Sequence, residues 1–268
     1  MQSGAARPRL YNSMLEHFLI SQIFSFFLIF CRVGSGIMVL PGYGETYVSA
    51  NIRLCFALMV TLVLTPVLGP AMPPLPPSNT ILFLMVANEI LIGIFIGTIC
   101  KTIIAVTHIA GAIFSVQAGV SSAVIFDVNQ SSQGSIVGNF FGIITIVLLF
   151  STNLHYMMLR GITESYTVFP VGKLPPLGDF ASTIAHITSD TFTTAVQISA
   201  PVLITGTLLF LGAGIISRLM PTIQVFFVLV APQLMVGFFI FITTFSAIML
   251  FYMEFYKDRI MAIMGYLK

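Results

Sequence analysis

The chain has no tryptophan, three cysteines in 268 residues, and so few charges that Asp, Glu, Lys and Arg together make up 7% of it. A soluble domain carries about 25% charged residues. With so little charge a water-facing surface cannot be covered by ionised groups, whereas lipid removes that requirement. The missing charge therefore points to a membrane, and the 57% hydrophobic content agrees. Cys31, Cys55 and Cys100 lie in separate apolar runs. An odd number without CxxC spacing fits neither a disulfide framework nor a zinc site, and the three read as small packing residues. The net charge is +2 and the basic residues are scattered. Neutralising phosphates takes clustered Lys and Arg, so nucleic acid is not an expected partner. There is no HExxH, GxSxG or Walker loop, and His17, His108, His155 and His186 are dispersed. No catalytic residue, metal or cofactor is expected.

What is present is a series of long apolar runs. A hydrocarbon core of about 30 Å takes roughly 20 apolar residues per crossing. That ruler gives Phe18–Leu40, Arg53–Leu68, Thr80–Thr107, Ile136–Phe150, Phe192–Ile216 and Ile223–Tyr252. The lead-in, residues 1–17, has the basic character of a signal-peptide start through Arg7 and Arg9. Arg32, however, falls where a cleavage motif should sit, so the segment reads as a mobile lead-in to a first membrane helix. Pro41-Gly42-Tyr43-Gly44 marks a turn, and Pro70, Pro73, Pro74, Pro76 and Pro77 mark a stiff extended connector. Ser151–Asp190 is the longest polar interval. The short link Ser217–Thr222 forces the last two runs into an antiparallel hairpin, ending in a solvated, amphipathic tail with Glu254, Lys257, Asp258 and Arg259. The fold class is all-α: polytopic membrane-type hairpins, roughly six long helices plus a broken or re-entrant segment.

Arg32, Arg53, Glu89 and Lys101 interrupt the runs. A charge at a helix centre costs about 2.5–3.5 kcal/mol on insertion scales, so each should face protein or water. Arg53 and Lys101 lie near run ends and can snorkel. Arg32 and Glu89 sit deeper and are of opposite sign. Two readings remain: an ion pair between helices or subunits, which is favoured, or the substrate site of a secondary transporter.

Glycines recur at four-residue spacing in Gly93–Gly97, in Gly134–Gly138–Gly142 and, with Ser115, in Gly111–Gly119. Such faces let another backbone approach closely. Three of them suggest more contact surface than a solitary bundle needs, hence a subunit of a larger assembly. The stretch His108–Gln133 is too polar and small for a plain span and too apolar for a solvated loop. It is either irregular backbone inside a conduit or an interfacial helix with a surface turn.

Several of these residues carry a resemblance over nearly the whole length after the lead-in. Arg32, Pro41, Arg53 and Pro66, then Glu89-Ile90-Leu91-Ile92-Gly93, Ala110-Gly111, Gln117-x-Gly119 and Asp127, are followed by Asn153-x-His155, Pro170-x-Gly172, Arg218-x-x-Pro221, Phe226-Phe227 and Gly237. In this order and spacing the chain resembles the FliR/SctT family of type III secretion export-gate subunits. Val128 after Asp127 and Thr222 after Pro221 depart from the family pattern. The resemblance implies a non-enzymatic subunit of the flagellar-type gate in the bacterial inner membrane, at the basal body. It implies assembly with FliP-like and FliQ-like subunits, with FlhB and FlhA adjoining, around unfolded export substrates. Residues 18–190 would be the FliP-like part and 191–268 a FliQ-like hairpin. A plug loop, at about 108–133, would close the pore through Gln117, Gly119, Val120, Ser121, Ser122, Val124, Ile125 and Phe126. The Arg218–Pro221 turn would sit at the cytoplasmic entrance, near FlhB.

Overall fold

The computed structural model describes residues 6–121, 135–173, 175, 177–220 and 225–266, and these hold seven α-helices and no strand. They are α1 (Ala6–Val39), α2 (Ala50–Leu68), α3 (Asn79–Gln117), α4 (Ile136–Ser151), α5 (Leu154–Val168), α6 (Leu177–Leu219) and α7 (Val225–Tyr266).

The lead-in is helical from Ala6 onward, so α1 begins well before the apolar run. It stops where Pro41 cannot continue a helix and Gly42 takes a positive φ of 82°. In α2 only Ala57 and Thr61 are buried. Its hydroxyls are satisfied locally, Thr61 Oγ1 donating to the Ala57 carbonyl and Thr65 Oγ1 to that of Thr61, both at 2.7 Å, which lets threonine ride in an apolar helix. A single 3₁₀ turn, Gly69–Ala71, leads into the proline connector.

Three expectations need correcting. First, α3 does not end at Thr107 but runs to Gln117, so the first third of the odd stretch is helix. Its weak helix formers are held by packing: Ala110, Phe114 and Ser115 are buried, and burial of one face outweighs propensity. Second, Gly119 is past the end of α3 at φ 77°, so it does not share the helical face of Gly111 and Ser115. Third, the polar interval Ser151–Asp190 is mostly helical, holding α5 and the first turns of α6. A 20-residue apolar window passes over α5 because it is short and amphipathic. It buries Leu154, Met158, Ile162 and Ser165 along one stripe and exposes Arg160. The break between α4 and α5 falls at Thr152–Asn153, where Asn153 adopts φ 61°, a conformation asparagine tolerates at helix ends.

The final two helices form the expected hairpin but extend further at both outer ends. Asp190 of α6 meets Arg259 of α7 at 2.9 Å, far from the connection between them, as antiparallel neighbours must. The end of α7 is amphipathic: Tyr252, Tyr256 and Ile260 are buried at four-residue spacing while Lys257, Asp258 and Arg259 are exposed.

Among the described residues, five helices are long and apolar enough to cross a membrane, or six if the bent pair α4–α5 counts as one span. Most of the apolar surface of α2 and α7 is uncovered, which a chain in water could not sustain. The protein is a multi-pass membrane protein. At about 1.5 Å per residue, α3, α6 and α7 have contour lengths of roughly 58–65 Å, about twice the hydrocarbon thickness.

The chain divides into two compact units. The first comprises described residues of Met1–Lys101, Met158–Phe180 and Met264–Lys268. It packs Phe24, Leu28 and Met85 with Leu82, Val86 and Val171, and stacks Phe95 on Phe180 at 3.7 Å. The second comprises described residues of Thr102–Met157 and Ala181–Ile263. It packs Phe114, Ala118 and Val202 with Val120, Val137, Ile240 and Phe241.

Candidate functional site

In the first unit, the site begins with two charges in apolar helices. Arg32 on α1 and Glu89 on α3 are both 0% exposed and form a bidentate pair, Nε to Oε2 at 2.7 Å and Nη2 to Oε1 at 2.9 Å. Arg32 also donates to Ser165 Oγ at 3.2 Å and to the Phe169 carbonyl at 2.9 Å, and its guanidinium lies 3.9 Å above the Tyr166 ring. The cation thus meets the carboxyl-terminal end of α5, where unpaired carbonyls and the helix dipole favour positive charge. One residue ties three helices together. Because the pair is sealed from solvent, it presents no face to a solute.

The pair continues into a close helix seam. Glu89, Gly93 and Gly97 follow at four-residue spacing on α3. A Cβ at Gly93 would overlap Ser35 Oγ and the Arg32 carbonyl, and one at Gly97 would lie 2.7 Å from Val39 Cβ and 3.0 Å from the Gly36 carbonyl. Glycine here permits the backbone approach that brings the short Glu89 side chain within reach of Arg32. Arg53, by contrast, is half-buried and reaches the Gly44 carbonyl at 3.4 Å, and Lys101 is exposed.

In the second unit, Gly111 of α3 and Gly138 of α4 pack backbone to backbone. A Cβ at Gly111 would lie 2.5 Å from Gly138 Cα and 2.7 Å from its nitrogen. Ser135 fastens the seam, its Oγ accepting from the Gly138 N–H at 3.0 Å as the N-cap of α4 and donating to the Gly111 carbonyl at 3.3 Å. The His108 imidazole fills the space above Gly142. Gly134 lies outside the described residues.

Of the expected plug residues, Gln117, Gly119, Val120 and Ser121 are described, whereas Ser122, Val124, Ile125 and Phe126 lie outside the described residues, as does Pro221. Ala118 N–H bonds the Phe114 carbonyl at 2.8 Å and Gly119 turns the chain with its positive φ, making an elbow at the end of α3. The elbow is held by the hairpin. Gln117 Nε2 donates to the Leu203 carbonyl of α6 at 3.4 Å, and Gln233 Nε2 of α7 donates to the Gln117 carbonyl at 2.9 Å. Glycines again admit the approach: Gln117 sits over Gly206, and Ala118 over Gly237. Ser115 and Ser121 hydroxyls pair across the elbow at 3.1 Å. An apolar groove of about 260 Å³, lined by Phe114, Ala118, Val120, Phe140, Phe238 and Phe241 among others, runs beside it. Arg218 is exposed in the last turn of α6, where a cation suits the helix dipole.

Sequence reasoning missed Ser165, the Phe169 carbonyl, Gly206 and Gln233. Gln233 carried a signal, since it is the one amide side chain in the α7 sequence and a polar group in such a run wants a partner. Ser165 and Phe169 carried none, lying in the longest polar interval, to which no apolar run was assigned.

Comparison with known proteins fits this arrangement. A family described as bacterial export proteins, family 1, matches residues 23–258. The flagellar biosynthetic protein FliR of Caulobacter vibrioides is 30% identical over 88% of this chain and 94% of its own length. That of Bacillus subtilis is 30% identical over 84% of this chain and 87% of its own, and that of Escherichia coli 23% identical over 77% and 78%. A multi-pass helical chain matched along nearly its full length by these proteins belongs to the FliR family of flagellar export proteins.

Proposed function

We propose that this chain is a non-enzymatic subunit of the flagellar export gate in the bacterial inner membrane, at the basal body, and that the segment after α3 plugs the conduit. Residues 18–190 act as a FliP-like part and 191–268 as a FliQ-like hairpin. FliP-like and FliQ-like subunits cover the exposed apolar faces, and FlhA and FlhB adjoin, FlhB near the Arg218–Pro221 turn. Unfolded substrates pass through the conduit they share.

The observation that carries this reading is the elbow. A helix of 39 residues ends at Gln117, which bonds to both hairpin helices, a left-handed Gly119 follows two residues on, and the expected plug, Gln117–Phe126, begins there. A seal of this kind takes small residues to bend and apolar ones to exclude water, and Gly119, Val120, Val124, Ile125 and Phe126 supply both. The transporter alternative loses its candidate site, because Arg32 and Glu89 are fully buried and paired with each other, and Arg32 bonds Ser165 and the Phe169 carbonyl as well.

Deleting residues 117–126 tests the plug. Expressed in the native gate, the deletion raises ion leak through the closed membrane at an unchanged amount of assembled complex; an unaltered leak removes the plug from the account.

A further inference from the structure

Around the elbow, α7 turns Gln233 and Gly237 inward and Met235 and Phe239 outward, while Ile240 and Phe241 pack on the core beside them. Met235 is 76% and Phe239 69% exposed, whereas Gln233 is 5% exposed and Gly237 is buried. Lipid solvates methionine and phenylalanine well and a primary amide poorly. A buried amide is costly unless it is hydrogen-bonded. Gln233 is therefore placed inward by the bond it makes, and that bond goes to one acceptor, the carbonyl of Gln117. This is the last residue of α3, so its carbonyl lacks an intrahelical partner. An orphan acceptor at a helix end and an orphan donor in an apolar helix satisfy each other. The Gln233 side chain also lies against Gly119, its Cδ 3.1 Å from where a Cβ would stand. Any side chain at 119 would displace it, in addition to straining the positive φ. Pro232 and Pro201 lie within two residues of Gln233 and Leu203, the two hairpin positions that hold the elbow.

We infer that Gln233 is a positioning residue for the plug: its amide holds the root of residues 117–126 against the hairpin, so that breaking the Gln233–Gln117 bond loosens the seal. This rests on the plug reading above. The latch consists of one strong amide bond, one longer bond from Gln117 to Leu203 and two glycine contacts, with no charge. The small apolar groove beside Val120 leaves room for that side chain to shift.

The test uses the complete gate in its native membrane and compares the parent, Gln233→Met and the 117–126 deletion for ion leak, each at a measured amount of assembled complex. Methionine keeps the length of the side chain and removes the donor. The inference expects Gln233→Met to raise the leak several-fold, toward the deletion, with assembly unchanged. A parent-level leak in Gln233→Met beside a leaky deletion overturns the latch and leaves the plug standing, whereas a tight deletion overturns the plug as well. If Gln233→Met fails to accumulate, Gly237→Ala carries the test. Its Cβ would press on Ala118 Cβ at 2.5 Å and push the elbow off α7 while leaving Gln233 in place. A raised leak then supports the latch, and a parent-level leak overturns it.

Discussion

Arg32 uses four of its five N–H donors, two on Glu89, one on Ser165 and one on the Phe169 carbonyl. Such saturation is what permits a charge at this depth. Removing one partner leaves the other charge buried and uncompensated, which costs about 3–5 kcal/mol. Glu89→Gln and Arg32→Met should therefore each lower the unfolding midpoint of the chain in detergent sharply. The double variant Arg32→Met/Glu89→Met should be much less harmful than the sum, because two apolar side chains replace two charges. Additive losses in a double-mutant cycle would show that the two groups do not depend on each other. The opposite signs and depth of these residues were readable in the sequence. That a third helix supplied two further acceptors was not, because pairing by sign says nothing about a neutral carbonyl.

At the scale of the elements, the glycine seams decide which helices touch. Alanine is normally favoured over glycine within a helix by up to about 1 kcal/mol. At Gly111 the added methyl meets the Gly138 backbone, which has no rotamer with which to yield, and overpacking of this kind costs about 1–3 kcal/mol. At Gly161 nothing lies within 4 Å. Gly111→Ala should thus destabilise the purified chain while Gly161→Ala leaves it unchanged or slightly stabilised, both followed by thermal unfolding in one detergent. Equal effects at the two positions would contradict the seam. Four-residue glycine spacing announced close packing at Gly93, Gly97 and Gly138, but could not say against what. It also misplaced Gly119, since spacing alone does not reveal where a helix stops. The length of α3 and the presence of α5 escaped the sequence for a related reason: one is a helix of weak formers held by burial, the other a short amphipathic helix among polar residues.

For the whole molecule, the described residues leave most of the apolar surface of α2 and α7 uncovered, and the account assigns that cover to lipid and sister subunits. Mild extraction should recover the chain together with FliP-like and FliQ-like proteins, and native mass spectrometry should show a hetero-oligomer; a clean monomer would argue against assembly. The central claim, that the elbow opens into the path of the substrate, is reached most directly by site-specific photocrosslinking in cells. A crosslinker placed at Val120, with one at the exposed α2 position Met59 as reference, is illuminated while a substrate is stalled in transit. The account predicts substrate adducts from position 120 and none from position 59. Adducts with lipid or solvent alone at 120, under conditions where the stalled substrate is shown to occupy the gate, would contradict it.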